Sequence, residues 1–201
     1  MELDEQFWNI ETLNEQLFLQ SKRRICIYDT LAQNIQSIYA DDEITNLSAT
    51  ADAIFYQVAN KGLFKIIGGK AQLFSAQNMI KQARIVEIFA TEEGLLLITK
   101  NKGIYIYRNG QFEAWNDDLN NDLQQYNIFS AYQLNNGNIA LGTISKGLIM
   151  LNRAGEWRYQ IDRSKGMSNN TVLSLFEDKI GNLWLGLDNG INCLNIYSPF
   201  R

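Results

Sequence analysis

The 201-residue chain contains no histidine. That removes His-based acid–base catalysis, Ser–His and Cys–His nucleophile pairs, His metal ligation and a phospho-accepting His from these residues. Proline occurs once and cysteine twice, at Cys26 and Cys193. A disulfide framework needs more thiols than that. Each cysteine sits on an apolar run, so both are expected as buried free thiols. Positive charge is not in excess: 18 Lys and Arg face 22 Asp and Glu, a net charge of −4. This argues against a nucleic-acid partner, which usually meets a basic face. No apolar run approaches the ~20 residues of a membrane span. The opening MELDEQFWNI is acidic and lacks the apolar segment of a secretory signal. An export signal or anchor is therefore expected only outside these residues. Neither a Walker-type phosphate loop nor a DxDxDG calcium loop occurs, so no cofactor or metal is expected. What is present is a 46% hydrophobic composition, enough for a substantial core.

The hydrophobic residues repeat. Gly62, Gly103, Gly147 and Gly190 lie in related contexts, NKGLFKI, NKGIYIY, SKGLIML and DNGINCL, at spacings of 41, 44 and 43. A weaker copy, SKRRICI, places Arg23 at the glycine position, 39 residues before Gly62. Each copy holds four short runs rich in Ile, Leu, Val, Phe and Tyr, bounded by Gly, Asn and Asp. Such runs read as strands joined by hairpins. Asn109-Gly110 suits a two-residue hairpin turn in which both residues take positive φ. First strands are expected near 6–11, 44–49, 85–90, 128–133 and 172–177. The stretch AQNMIKQARIV from Ala76 is expected as a loop with at most one helical turn. Four antiparallel strands every 40–45 residues indicate a β-propeller. The fold class is thus all-β, with about five four-stranded blades near 5–40, 43–76, 84–117, 127–162 and 170–201. The whole chain forms one propeller segment. After Ile196 it reads YSPFR where an outer strand is due, so the segment is expected to be an arc of a larger propeller. A closed five-bladed ring, completed by Met1–Asp4 or the tail, is the alternative.

The fifth copy carries more than a period. MSNNTVLSLFEDKIGNLWLGLDNGINCLN, from Met167 to Asn195, resembles the two-component regulator propeller repeat. The matching positions are Asn169, Asn170, Val172, Glu177, Asp178, Gly181, Asn182, Leu183, Trp184, Leu185, Gly186, Gly190 and Ile191, with Leu187 where the family has Thr. The fourth copy matches more loosely, through Gly137, Asn138, Leu141, Gly142, Thr143, Gly147 and Leu148. The resemblance implies a sensor ectodomain of Bacteroidetes-type regulators. In that family the propeller precedes a triple-tyrosine domain, a membrane span and a histidine kinase or DNA-binding output. It also implies a periplasmic or extracellular location and a ligand such as an oligosaccharide or another small polar molecule.

Most motif residues read as structural. Trp184 is expected to be buried between blades, so its truncation would cost the ~3–5 kcal/mol of a lost buried aromatic. Asp178 is expected to close its hairpin through an Asx-type bond. The adjacent carboxylate pairs Asp41-Asp42, Glu92-Glu93, Asp117-Asp118 and Glu177-Asp178 point to opposite faces if extended, so none is a ready acid–base dyad. No catalytic residue and no metal ligand is assigned. Asn116–Asp118 and Asn120–Asp122 read as a solvated loop. The turns between second and third strands and the connections between blades should share one rim around a central channel, where polar groups from several blades can converge. Lys61, Lys102 and Lys146 recur there and could draw in an anion. The ligand-binding candidates are Lys102, Lys146, Asp188 and Asn189. Trp115 and Trp157 are placed on outer strands, outside that site.

The reading of function is a non-enzymatic ligand-sensing propeller of a two-component-type sensor. One rival is a propeller scaffold for a protein partner. Another is a propeller lyase or hydrolase, which the lack of histidine disfavours. Self-association through an open propeller edge is expected as well.

Overall fold

The computed structural model describes residues 6–196. They form antiparallel sheets in which each strand pairs with the next in sequence. The first sheet holds β1 (Asn9–Leu13), β2 (Gln16–Gln20), β3 (Arg24–Asp29) and β4 (Asn34–Tyr39). The second holds β5 (Ile44–Ala49), β6 (Ile54–Val58), β7 (Gly62–Ile67) and β8 (Lys70–Ser75), and the short helix α1 (Asn78–Gln82) follows. The third holds β9 (Ile85–Thr91), β10 (Gly94–Thr99), β11 (Ile104–Arg108) and β12 (Gln111–Ala114), followed by α2 (Asp117–Leu123). The fourth holds β13 (Ile128–Gln133), β14 (Ile139–Thr143), β15 (Leu148–Leu151) and β16 (Trp157–Ile161). The fifth has three strands among the described residues, β17 (Val172–Glu177), β18 (Asn182–Leu187) and β19 (Ile191–Asn195). These are the blades of an all-β propeller fold, as the repeat predicts. The outer strand expected after Ile196, and the closing role considered for Met1–Asp4 and the tail, lie outside the described residues. The chain divides into two compact units, Met1–Glu92 and Glu93–Arg201.

The strand pattern follows from which faces are covered. The inner strands β6, β14 and β15 are buried at every position, while the outer β4, β8 and β12 are mostly exposed. In the first unit, Phe18, Ile25 and Ile27 pack with Ile44, Leu47 and Ile54. In the second, Ala140, Leu148 and Met150 pack with Val172, Leu183 and Leu185. Each such side chain, fully buried, contributes roughly 1.5–3 kcal/mol. The two-residue turn at Asn109-Gly110 forms with φ of 53° and 84°, the positive pair its sequence requires.

Side chains also stitch neighbouring first strands together. Asn9 Nδ2 donates to the Leu47 carbonyl at 2.8 Å, and Asn46 Nδ2 to the Val86 carbonyl at 3.0 Å. In the second unit Ser130 Oγ donates to the Val172 carbonyl at 3.2 Å. Glu177 reaches the adjacent sheet as well, its Oε2 accepting from Asn135 N at 2.7 Å. Gln57 satisfies the connection after α1: its Nε2 donates to the Ile80 and Ala83 carbonyls at 2.8 and 2.7 Å, and its Oε1 accepts from Ile85 N at 3.0 Å.

Three expectations are corrected. Trp184 is 41% exposed, because strand alternation sends Leu183 and Leu185 into the core and Trp184 to the opposite face. Cys193 is exposed rather than buried, since it is the register partner of Trp184 on that face; Cys26 is buried. The segment 116–123 is a capped helix instead of a solvated loop. Asn116 Oδ1 accepts from Leu119 N at 3.0 Å, Asp117 and Asp118 occupy the first turn, and Leu119 and Leu123 are buried four residues apart. Asn120, only 6% exposed, bridges to β11: its Oδ1 accepts from Ile104 N at 2.6 Å and its Nδ2 donates to the Ile104 carbonyl at 3.0 Å.

Asn120→Ala removes the side-chain acceptor of the Ile104 N–H, while the Ile104 carbonyl keeps its bond from Trp115 N at 3.0 Å. The expected loss is about 1–3 kcal/mol, read from the urea midpoint at constant slope. A loss under about 0.5 kcal/mol, the range of ordinary surface changes, would show that α2 does not hold β11 in place.

Candidate ligand-binding rim

In the second unit the second-to-third-strand turns are built alike. Thr99, fully buried, donates from Oγ1 to the Gly103 carbonyl at 2.6 Å and accepts from Lys102 N at 3.0 Å. Thr143 does the same, to the Gly147 carbonyl at 2.9 Å and from Lys146 N at 2.9 Å. The third copy has Leu187 in place of Thr. Its backbone bond to the Gly190 carbonyl remains, at 3.0 Å, and Asp188 N donates to the Thr171 carbonyl at 3.1 Å. The hydroxyl thus shapes the turn from beneath, and the residue on top is free to vary.

These turns meet the connections between sheets. Ile128 N donates to the Lys100 carbonyl at 2.8 Å, Ile144 N to the Asn127 carbonyl at 3.0 Å, and Gly147 N to the Asn170 carbonyl at 2.9 Å. Thr171 Oγ1 adds a bond to the Ile144 carbonyl at 2.5 Å. Within this unit, both sets of loops share one end of the sheets. Gln160 ties the rim further: its Nε2 donates to the Lys146 carbonyl at 2.6 Å, and its own carbonyl accepts from Lys165 Nζ at 2.6 Å. Lys102, Lys146, Asp188 and Asn189 sit at the tops of the three turns, and all four are exposed. Trp115 packs on Gly155, and the Trp157 ring lies 5.8 Å from that of Tyr126. Both tryptophans are half-buried. Among the described residues no group of three His, Cys, Asp or Glu side chains is placed to hold a metal ion.

The motif residues of the fifth sheet serve its hairpin. Asp178 Oδ1 accepts from Ile180 N and Asn182 N at 3.0 and 2.9 Å, the Asx-type closure expected of it. Its Oδ2 accepts from Trp184 Nε1 at 2.9 Å and Asn182 Nδ2 at 3.1 Å. The indole N–H, with these other donors, holds the Asp178 carboxyl below its ordinary value.

A second polar cluster, in the first unit, escapes a search for adjacent carboxylates because its members lie on different strands. Glu11 is on β1, Asn46 and Ser48 are on β5, and Glu87 is on β9. Ser48 Oγ donates to Asn46 Oδ1 at 3.1 Å. Burial raises the Glu87 carboxyl, opposed by hydrogen bonds from Ser48 and from Ile88 N. Burial, then the Glu87 charge, pushes Glu11 up to about 7. The sequence signal is a recurring polar position in the first strand, filled by Asn9, Asn46, Ser130 and Ser174, where the third copy carries Glu87.

Residues 166–189 match the two component regulator propeller family. No curated protein matches the chain. Among solved structures, the extracellular domain of BT4673 from B. thetaiotaomicron, described as part of a one component or a hybrid two component system, superposes with a TM-score of 0.70 at 19% identity. The alignment covers 92% of this chain and 26% of that one. The extracellular domain of BT3049 from the same organism, of a hybrid two component system, gives 0.68 at 17% identity, covering 93% and 26%. PorZ of Porphyromonas gingivalis, a surface component of the type-IX secretion system, gives 0.74 at 16%, covering 95% and 32%. These likenesses show the fold, and the chain spans about a quarter to a third of the length of each. No helix among the described residues is long and apolar enough to cross a membrane.

The Glu11 carboxyl gives the first unit a pH dependence. Its folded value, about 7, lies above the ordinary 4.5, so the folded state holds a proton that the unfolded chain has released. Stability is full below the lower value, falls as pH rises between the two, and levels off above the higher. Glu11→Gln should raise stability at pH 8 by about 1–2 kcal/mol, a figure discounted for partial exposure, and change little at pH 4. Equal effects at both pH values in urea titrations would contradict the shift.

Proposed function

We propose that this chain is a ligand-sensing part of a two-component-type sensor, acting outside the cytoplasm and without catalysis of its own. The observation that carries the reading is the division of labour in the rim turns of the second unit. Buried Thr99 and Thr143 fix the turn backbones, and the exposed Lys102 and Lys146 above them take no part in the core. Side chains spared from structural duty, repeated at one end of successive sheets, are what a binding surface on a rigid scaffold requires. The match of residues 166–189 to a regulator propeller, and the likeness to extracellular domains of two component systems, support the sensing role.

The ligand in this reading is an oligosaccharide or another small polar molecule, favoured if it carries carboxylate or sulfate groups. Lys102 and Lys146 supply the positive charge. Asp188 and Asn189, on the turn without the threonine, supply an acceptor and an amide for hydroxyl groups. The partners of the chain are then that small molecule and a second copy of itself, with no nucleic acid and no cofactor.

The test replaces Lys102 and Lys146 together by Ala. Thermal stability should move by less than ~0.5 kcal/mol, as for ordinary surface changes. Calorimetric titration with uronic-acid and sulfated oligosaccharides should show binding to the parent chain, weakened about tenfold or more in the variant, a loss of ~1.4 kcal/mol. Unchanged affinity would move the site away from these turns. Turnover of the oligosaccharide would replace the sensing reading with an enzymatic one.

A further inference from the structure

The fifth sheet has one face packed and one open. Val172, Leu183 and Leu185 lie in the core against the fourth sheet, while Phe176, Trp184 and Ile191 are 58%, 41% and 69% exposed. Phe176, Trp184 and Cys193 form a continuous rung across β17, β18 and β19. An open apolar sheet face of this kind marks an interaction surface.

Its detail shows what it fits. In the fourth sheet Ser130 pairs with Gly142, next to an irregularity in the register between Ile128 and Ser130. In the fifth, Ser174 pairs with Gly186, next to the same irregularity between Val172 and Ser174. The fourth-sheet pair is a socket for the sheet that follows. A Cβ on Gly142 would lie 2.2 Å from Ser130 Oγ and 2.8 Å from Val172 Cγ1, so the missing side chain is the space that Val172 occupies. Ser130 Oγ also donates to the Val172 carbonyl. In the fifth sheet a Cβ on Gly186 would again lie 2.2 Å from Ser174 Oγ, and its three nearest atoms, out to 3.9 Å, all belong to Ser174, with none from another sheet. The Ser–Gly socket is repeated on the open face, shaped for a first strand from another sheet.

Such a sheet must itself have an uncovered apolar face on its first strand. The first sheet has one. Ile10 and Leu19 form one rung on it, and Thr12, Leu17, Tyr28 and Ile35 the next. Ile10 and Ile35 are 59% and 52% exposed, whereas Phe18, Ile25 and Ile27 on the opposite face are in the core. We propose that the open face of the fifth sheet docks the open face of the first sheet of a second copy of this chain. The contact continues the stacking already made between the fourth and fifth sheets, and it stands independently of the ligand-binding reading. Because it joins two different surfaces, it is heterologous, so copies add head to tail.

The experiment measures molar mass by light scattering across a dilution series, for the parent chain, Phe176→Lys and Ile35→Lys. Both substitutions are at exposed positions, and circular dichroism melts check that each variant folds. The parent should exceed the monomer mass with increasing concentration, and each variant alone should remain monomeric. An equimolar mixture of the two variants should recover a dimer and nothing larger, because one intact face remains on each partner. A monomeric parent would overturn the proposal, as it would if these faces are covered within one chain or await a different protein. Loss of association in Phe176→Lys alone would overturn it too, in favour of two fifth sheets meeting each other. Association unaffected by either substitution would place the contact on another surface.

Discussion

A four-stranded antiparallel sheet whose inner strands are apolar on both faces cannot stand alone in water, and everything else in this chain follows from covering those faces. The stacking is more than hydrophobic. Asn9, Asn46 and Ser130 each reach from one first strand to a backbone carbonyl of the next. Glu177 crosses between sheets in the second unit by accepting from a backbone N–H of the neighbouring hairpin. Such side-chain bonds fix the register of sheet on sheet, which apolar contact by itself leaves free to slide. The recurring spacing of 41 to 44 residues is the length of chain needed to build one sheet and return to the start of the next.

That demand explains why the residues with the strongest sequence signature are structural. Asp178 closes a hairpin and anchors the indole of Trp184, and Gly142 in the fourth copy leaves room for Val172 of the next sheet. Some exposed positions take no part in the stack. The rim turns of the second unit meet this description, since their shape comes from buried threonine hydroxyls and not from the lysines above them. A ligand site there can change its chemistry with little effect on the fold.

Strand order and sheet membership were legible because hydrophobic runs, turn residues and a regular period all report the same repeating unit. Burial was less so. Alternation along β18 separates Trp184 from Leu183 and Leu185, but it does not say which of the two faces another sheet covers, and the exposure of Trp184 and Cys193 depends on that. The helix at 117–123 was hidden by its polar composition, although an Asn cap, two acidic residues and leucines four apart are a helix signal. The rim turns could be placed from their repeat positions, and their threonine supports belong to the same repeat. The Glu11 and Glu87 cluster could not, because its members meet through sheet stacking and not through spacing in the chain.

Amide chemical-shift mapping with a titrated uronic-acid oligosaccharide is the direct test of the proposal that these rim turns form the ligand surface. Saturable shifts are expected at the turns 99–103, 143–147 and 187–190, with the opposite hairpins at 109–110 and 153–155 unmoved. Saturable shifts confined to those opposite hairpins or to the open face of the fifth sheet, with the three turns silent, would contradict it.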